Sequence, residues 1–194
     1  MNRGAAVNAK TSRWSETGAR FLARVLFLPT LAWNYLLARV LHVRNWWDPI
    51  DADVVIGALP LAGDIPAMRA ARIAAVVNTC REYRGPIDAY VAAEISQLWI
   101  PTTDFTAPSL DDVESAVRFM QQEIAQGKRV YVHCKAGRAR SATVVLCWLV
   151  KAKHMSPDEA QQLILAKRPH ANRHLVQRPV VQQFAARHHG APNG

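Results

Sequence analysis

Ten residues constrain this chain more than any others: Val132-His133-Cys134-Lys135-Ala136-Gly137-Arg138-Ala139-Arg140-Ser141. A strand-favouring run, Val130-Tyr131-Val132, leads into them, and an apolar stretch of helical composition, about Arg138 to Lys151, leads out. That order predicts a strand, a tight loop and a helix N-terminus. The backbone N–H groups of such a loop converge and the helix dipole adds positive potential, so the segment makes an anion cradle. A cysteine at its mouth is expected to be a thiolate at neutral pH, because helix N-termini and nearby cations lower a thiol pKa to roughly 3.5–7.5. An arginine at its far end can grip two oxygens of a tetrahedral anion.

These residue types suit attack on a phosphate monoester, a dianion that repels nucleophiles and hydrolyses extremely slowly unaided. Cys134 is the candidate nucleophile and needs no separate base. Amides from Lys135 through Ala136, Gly137, Arg138 and Ala139 to Arg140 can take the non-bridging oxygens, and the Arg140 fork adds bidentate grip. Gly137 lets the loop fold where a Cβ would clash. Ser141 can hydrogen-bond the thiolate and help it leave. His133 is read as a loop-positioning residue rather than a metal ligand. A buried core cysteine followed by a basic turn is the competing reading; it explains Cys134 but not the His, Gly, Arg and Ser around it.

The stretch resembles the signature loop of cysteine-dependent protein tyrosine phosphatases, in the dual-specificity subclass. The resemblance implies a metal-independent reaction with no cofactor and a general acid on an upstream loop. Asp104, thirty residues before Cys134 in Ile100-Pro101-Thr102-Thr103-Asp104-Phe105-Thr106, stands at the spacing this subclass uses. It would protonate the leaving oxygen and then activate the water that hydrolyses phospho-Cys134. Low-molecular-weight phosphatases carry their cysteine near the N-terminus and the acid downstream, the opposite order, and rhodanese-like domains lack the Asp-bearing loop.

The resemblance extends to Ala23-Arg24-Val25-Leu26-Phe27-Leu28-Pro29-Thr30-Leu31, Ile56-Gly57-Ala58-Leu59-Pro60-Leu61 and Ser156-Pro157-Asp158-Glu159-Ala160. With the loop, these blocks are similar to the mitochondrial-type branch that dephosphorylates phosphatidylglycerophosphate, a step in cardiolipin synthesis. That branch has an acidic Glu-Glu-Tyr-Glu loop near the mouth of its site. The matching stretch here is Arg81-Glu82-Tyr83-Arg84. The resemblance makes Glu82 and Tyr83 substrate-binding candidates, while Arg81 and Arg84 predict a more basic mouth and make phosphoinositides more plausible substrates. Lys135 and Arg138 add two cations beside the cradle, which would suit the internal diester of phosphatidylglycerophosphate. Arg168 and Arg173 are read by default as exposed, solvated arginines, with contact to a lipid headgroup the alternative. Competing readings are a protein phosphatase acting on phosphotyrosine and phosphoserine or phosphothreonine, and a phosphate-binding pseudophosphatase or membrane adaptor. The joint presence of Cys134, Asp104 and Arg140 argues against the last.

The chain has 194 residues and a formal net charge of +9. The charge is uneven: residues 1–44 hold seven Arg or Lys and one acid. That segment also holds an uncharged run of fourteen residues, Val25 to Ala38, and basic flanks. A spanning helix needs roughly twenty apolar residues, and a cleaved signal peptide fits poorly because the run starts late. Four of the six tryptophans (Trp14, Trp33, Trp46 and Trp47) lie in the first 47 residues, which suits a helix in the membrane interface; packing on the catalytic domain is the alternative. Nucleic-acid binding is not expected, since the excess charge sits beside an apolar helix rather than in a stripe of stacking aromatics. Cys80, Cys134 and Cys147 show no paired spacing, which with a reactive thiol implies a reducing compartment. Cys80 reads as a loop cysteine and Cys147 as core.

Along the chain, segments read as strands at Val54–Gly57, Ile73–Asn78, Gln97–Ile100 and Arg129–His133 alternate with helical ones. The helices are expected at Pro66–Arg72, Ile87–Ile95, from Ser109, at Arg138–Lys151, from Ser156 and at Arg178–Arg187. The expected fold is α/β: a protein-tyrosine-phosphatase-like sandwich with a mainly parallel central sheet flanked by helices, plus an N-terminal amphipathic helix. The expected organisation is a basic N-terminus over 1–19, a membrane-associating segment over 20–47, a catalytic domain over 48–188 and a tail over 189–194. The expected partners are a phosphorylated anionic lipid and a membrane surface, with the protein a monomer. The location would be the cytoplasmic face of the inner membrane in a bacterium, or the matrix side of the inner mitochondrial membrane in a eukaryote.

Overall fold

In the computed structural model, residues 27–33 and 35–188 are described. The expectations for 1–19, for 189–194 and for the start of the amphipathic segment lie outside them. Five strands form one sheet in the order β1-β2-β5-β3-β4: β1 Trp47–Pro49, β2 Val54–Gly57, β3 Ile73–Cys80, β4 Ser96–Thr102 and β5 Arg129–His133. β2, β5, β3 and β4 are parallel, and β1 joins β2 antiparallel at one edge. The architecture is the expected α/β sandwich with a mainly parallel sheet.

The strands are buried on both faces, and their side chains sort by alternation. Val54 and Ile56, Ala75 and Val77, and Val130 and Val132 point to one core, with α4 (Leu110–Ala125), α5 (Arg140–Ala152), α6 (Pro157–Lys167) and α7 (Pro179–His188). Val55, Val76 and Tyr131 point to the other, under α2 (Ile65–Ala70) and α3 (Ile87–Ala92). α5 is buried without a break from Arg140 to Val150, so it is enclosed on every side rather than along one stripe. Ser109 caps α4 by accepting the Asp112 N–H, and Ser156 and Glu159 form the capping box of α6.

β3 and β4 run past their expected ends, to Cys80 and Thr102, and three further elements depart from expectation. β1 was not anticipated; Trp-Asp-Pro has no alternation, and Pro49 is tolerated because an edge position leaves its missing N–H without consequence. α3 stops at Ala92 rather than near Ile95, because Glu94 takes φ 56° and the Ile95 N–H returns to the Tyr90 carbonyl. α5 starts at Arg140, two residues later than expected, since 135–139 are spent on the loop.

α1 covers residues 27–33, and a π-helical stretch follows at Leu36–Val40. This region packs and exposes at once. Ala38 and Trp46 are buried with Ala58, and Arg39 pairs with Asp64 and lies 4.8 Å from the Trp46 ring centre. Leu28, Trp33, Tyr35, Leu36, Val40, Leu41 and Val43 are exposed, Leu28 by 71 % and Val43 by 70 %. No helix among the described residues is long and apolar enough to cross a membrane. The parallel strands all end on the same side, at Gly57, Cys80, Thr102 and His133, and the loops that carry the candidate residues leave from that edge.

Candidate active site

Cys134 follows the central strand β5 and opens the loop that ends at α5. The loop's carbonyls all find donors on its outer side. The Leu59 N–H donates to Lys135 O, the Asn172 N–H to Arg138 O and the Thr143 N–H to Ala139 O. Arg168 supplies the other two, from Nη2 to Ala136 O at 3.0 Å and from Nε to Gly137 O at 2.7 Å. With five successive carbonyls held outward, the N–H groups face the enclosed side, and those of Arg138 and Ser141 point at the Cys134 sulfur. Gly137 has φ 65°, and a Cβ there would lie 2.5 Å from the Gly57 backbone. The loop leans on β2 too closely for any side chain at 137.

Cys134 is 4 % exposed. Burial alone would raise its pKa; the Arg140 charge and hydrogen bonds from Ser141 and Arg138 overcome that and bring it down to about 6. Ser141 Oγ donates to the sulfur at 3.4 Å. Cys80 shows the contrast. It is a buried residue at the end of β3, not the loop cysteine expected, and its thiol donates to Glu82 Oε2 at 3.1 Å. Burial pushes its pKa up, so it stays a thiol.

Arg140 is oriented from behind. Its Nη1 donates to Glu82 Oε2 at 2.9 Å and to the Thr102 carbonyl at 2.7 Å. Its Nη2 lies 3.0 Å from Asp104 Oδ1 without an aligned acceptor among the described residues. One edge of the fork is fixed by protein, and the other retains donor capacity for an incoming oxygen. Glu82 Oε1 accepts the Asp104 N–H at 2.9 Å. Despite burial, which favours its protonated form, Arg140 keeps Glu82 ionised. Glu82 therefore positions Arg140 and the Asp104 loop rather than lining the pocket. Tyr83 is likewise turned away, its hydroxyl donating to the Pro60 carbonyl at 2.9 Å.

Asp104 reaches the cradle across the sheet edge. Its carboxylate pairs with Arg140 and with the Lys135 ammonium. Lys135 is 6 % exposed, and its Nζ lies 5.7 Å from the ring centres of both Phe27 and Phe105. The expectation that Lys135 stands free to meet a second anion is thus corrected: its charge is taken up by Asp104. His133 is fully buried, stacks on Tyr131 and places Nδ1 3.3 Å from the Cys134 carbonyl. Burial lowers its pKa to about 3, so it is neutral and donates from Nδ1.

The cradle opens into a pocket of about 750 Å³ whose lining includes Thr30, Trp33, Arg44, Phe105, Arg138, Arg173 and Arg178. Arg81 and Arg84 do not line it; Arg84 lies over the Trp99 ring at 4.4 Å. The basic character of the mouth comes from other arginines. Arg178 and Arg168 were missed or misread from sequence. Arg168, expected to be solvated, is 1 % exposed and pairs with the buried Asp48. Neither sits in a local motif, and only the chain's return after α6 brings them to the cradle.

Residues 55–184 match the family model described as dual specificity phosphatase, catalytic domain. The chain belongs to the dual-specificity phosphatase family. It is a cysteine-dependent hydrolase of phosphomonoesters. This phosphatase is 36 % identical over 187 residues to the phosphatidylglycerophosphate phosphatase PTPMT2 of Arabidopsis thaliana, covering 95 % of this chain and 81 % of the relative. It is 36 % identical over 190 residues to the mouse (Mus musculus) phosphatidylglycerophosphatase and protein-tyrosine phosphatase 1, covering 89 % and 93 %. Among solved structures, PTPMT1 in complex with PI(5)P superposes with a TM-score of 0.66 at 32 % identity, covering 74 % of this chain and 99 % of that one.

Proposed function

We propose that this phosphatase removes the terminal phosphate of phosphatidylglycerophosphate at a membrane surface. The observation that carries this reading is a cradle with a thiolate at its base opening into an arginine-lined pocket beside an exposed apolar helix. The phosphatidylglycerophosphate phosphatases among its relatives support the lipid. The relative holding PI(5)P makes a phosphoinositide the second reading.

The Cys134 thiolate attacks phosphorus as the ester P–O bond breaks, while the loop amides and Arg140 hold the non-bridging oxygens. Asp104 in its acid form, its side chain released from Arg140 as that fork takes up a phosphate oxygen, gives its proton to the leaving glycerol oxygen. The resulting carboxylate then takes a proton from water, whose oxygen attacks phospho-Cys134 and releases phosphate and the thiolate. Ser141 donates to the departing sulfur. Asp104→Ala should therefore slow esters with alkyl leaving groups by about 100-fold or more, and activated aryl phosphates far less. Equal losses on both classes would remove Asp104 as the acid.

The exposed residues of α1 and the segment after it form the membrane-facing surface, with basic neighbours for an anionic leaflet. Leu41→Glu with Val43→Glu, both exposed, should reduce phosphate release from vesicles of phosphatidylglycerophosphate in phosphatidylcholine, measured with chelator present, and leave hydrolysis of soluble aryl phosphate unchanged. Undiminished vesicle activity would exclude this surface. Wild-type activity confined to phosphopeptides would overturn the lipid assignment.

A further inference from the structure

The positive charge in the pocket exceeds what one phosphate monoester needs, and its placement is uneven. At the cradle, Arg140 is partnered by Glu82 and Lys135 by Asp104. Beyond the loop the balance changes. Arg44, just before β1, and Arg138, on the outer turn of the loop, both line the pocket. Among the described residues no carboxylate lies within ion-pair distance of either. Among the described residues Arg138 donates from Nε alone, to the His170 carbonyl at 2.8 Å. The Nε of Arg44 is shielded from solvent and has no acceptor among the described residues, and the same holds for His170 Nε2.

These groups sense one another. Burial, then the charges of Arg138 and Arg168, lower the pKa of Arg44. Burial, then Arg168 and Arg44, hold His170 at about 4, so it is a neutral donor or acceptor at pH 7. Two guanidinium groups lining one pocket, without a carboxylate partner among the described residues and with an unspent shielded donor, gain from an anion that enters between them. Guanidinium forks match tetrahedral phosphate oxygens in particular.

We propose that Arg44 and Arg138, bordered by His170, form a second anion site that takes a phosphodiester on the same molecule whose monoester occupies the cradle. This rests on the reading of the protein as a lipid phosphatase and adds the feature by which it selects its substrate: two phosphoryl groups joined by a short polyol. The site reads the headgroup, and the acyl chains are left to the membrane-facing surface.

The test compares four substrates: para-nitrophenyl phosphate, with one anion; glycerophosphoglycerophosphate, the deacylated headgroup with monoester and diester; glycerophosphoinositol 5-phosphate, with the same pair on a different polyol; and phosphatidylglycerophosphate in phosphatidylcholine vesicles. Arg44→Gln is expected to lower kcat/KM by about 10- to 100-fold on the two-anion substrates, mainly through KM, and by a much smaller factor on para-nitrophenyl phosphate. Arg44→Lys should recover part of the loss. An equal loss on all four would mean a general contribution to potential and overturn the site. A loss on vesicles alone would mean that Arg44 meets the bilayer surface, and would also overturn it. Arg44-dependent turnover of the inositol compound, with no turnover of either glycerophosphate substrate, would keep the second anion site while overturning phosphatidylglycerophosphate as the substrate.

Discussion

Cys134→Ser is expected to abolish turnover, leaving less than one part in 10,000 of the rate on any phosphomonoester, while the folded protein still binds vanadate. The reason is the pKa. Arg140 and hydrogen bonds from Ser141 and Arg138 bring the Cys134 thiol to about 6 against the opposing effect of burial, so at pH 7 the nucleophile is already ionised. A serine hydroxyl starts far above that range, and the same contacts cannot ionise it. His133 is too weak a base to help, since burial lowers its pKa to about 3, and its Nδ1 is turned to the Cys134 carbonyl. The cradle amides and Arg140 are untouched by the change, so anion binding persists. In the wild type, the rate of alkylation by iodoacetamide should climb as pH rises through about 6, where the thiolate forms, and vanadate should protect. Appreciable turnover by the serine variant, or alkylation that begins to rise only near pH 8.5, would exclude an activated Cys134.

Arg168→Ala is expected to be the most destabilising substitution in the site, by about 3–5 kcal/mol, and to lower activity toward even the simplest aryl phosphate. The guanidinium is 1 % exposed and ties together two parts of the molecule: Asp48 on the edge strand, and the Ala136 and Gly137 carbonyls of the loop. Removing it leaves the Asp48 carboxylate buried without its partner and releases two of the five outward-held carbonyls. A chain of this size loses roughly 2–4 °C in Tm per kcal/mol, so thermal unfolding should fall by about 10 °C. Arg168→Lys restores charge opposite Asp48 but cannot reach two carbonyls and a carboxylate together. It should recover stability more than it recovers kcat/KM. Full activity in the lysine variant, or an unchanged Tm in the alanine variant, would show that the loop holds its shape without this residue.

The sequence made the catalytic loop legible because its chemistry is local. Cys134, Gly137, Arg140 and Ser141 lie within eight residues, and a strand-favouring run and an apolar helix fix their neighbourhood. The cores were legible for the same reason, through the near-continuous apolar runs of β2, β3 and β5 and through the caps at Ser109 and Ser156. What sequence could not supply was the partner of each charge. Lys135 looked free and is paired with Asp104. Glu82 and Tyr83 looked like pocket residues and face Arg140 and Pro60. Arg168 looked solvated and is buried. Each depends on a contact between segments 22 to 120 residues apart, and nothing in local composition encodes which acid meets which base. β1 escaped notice because a three-residue edge strand has no periodicity to read.

Glu82 divides its two oxygens between the Asp104 backbone and the Arg140 fork. With Lys135 and Arg140 also holding the Asp104 side chain, the loop is ordered before any phosphate arrives. The conformational entropy of ordering the Asp104 backbone is thus lost once, as the chain folds, and only the side chain has to leave Arg140 when a phosphate oxygen takes that edge of the fork. An enzyme arranged in this way has little to gain from substrate-driven closure of that loop, and its speed would be governed by how fast substrate enters and product leaves the pocket.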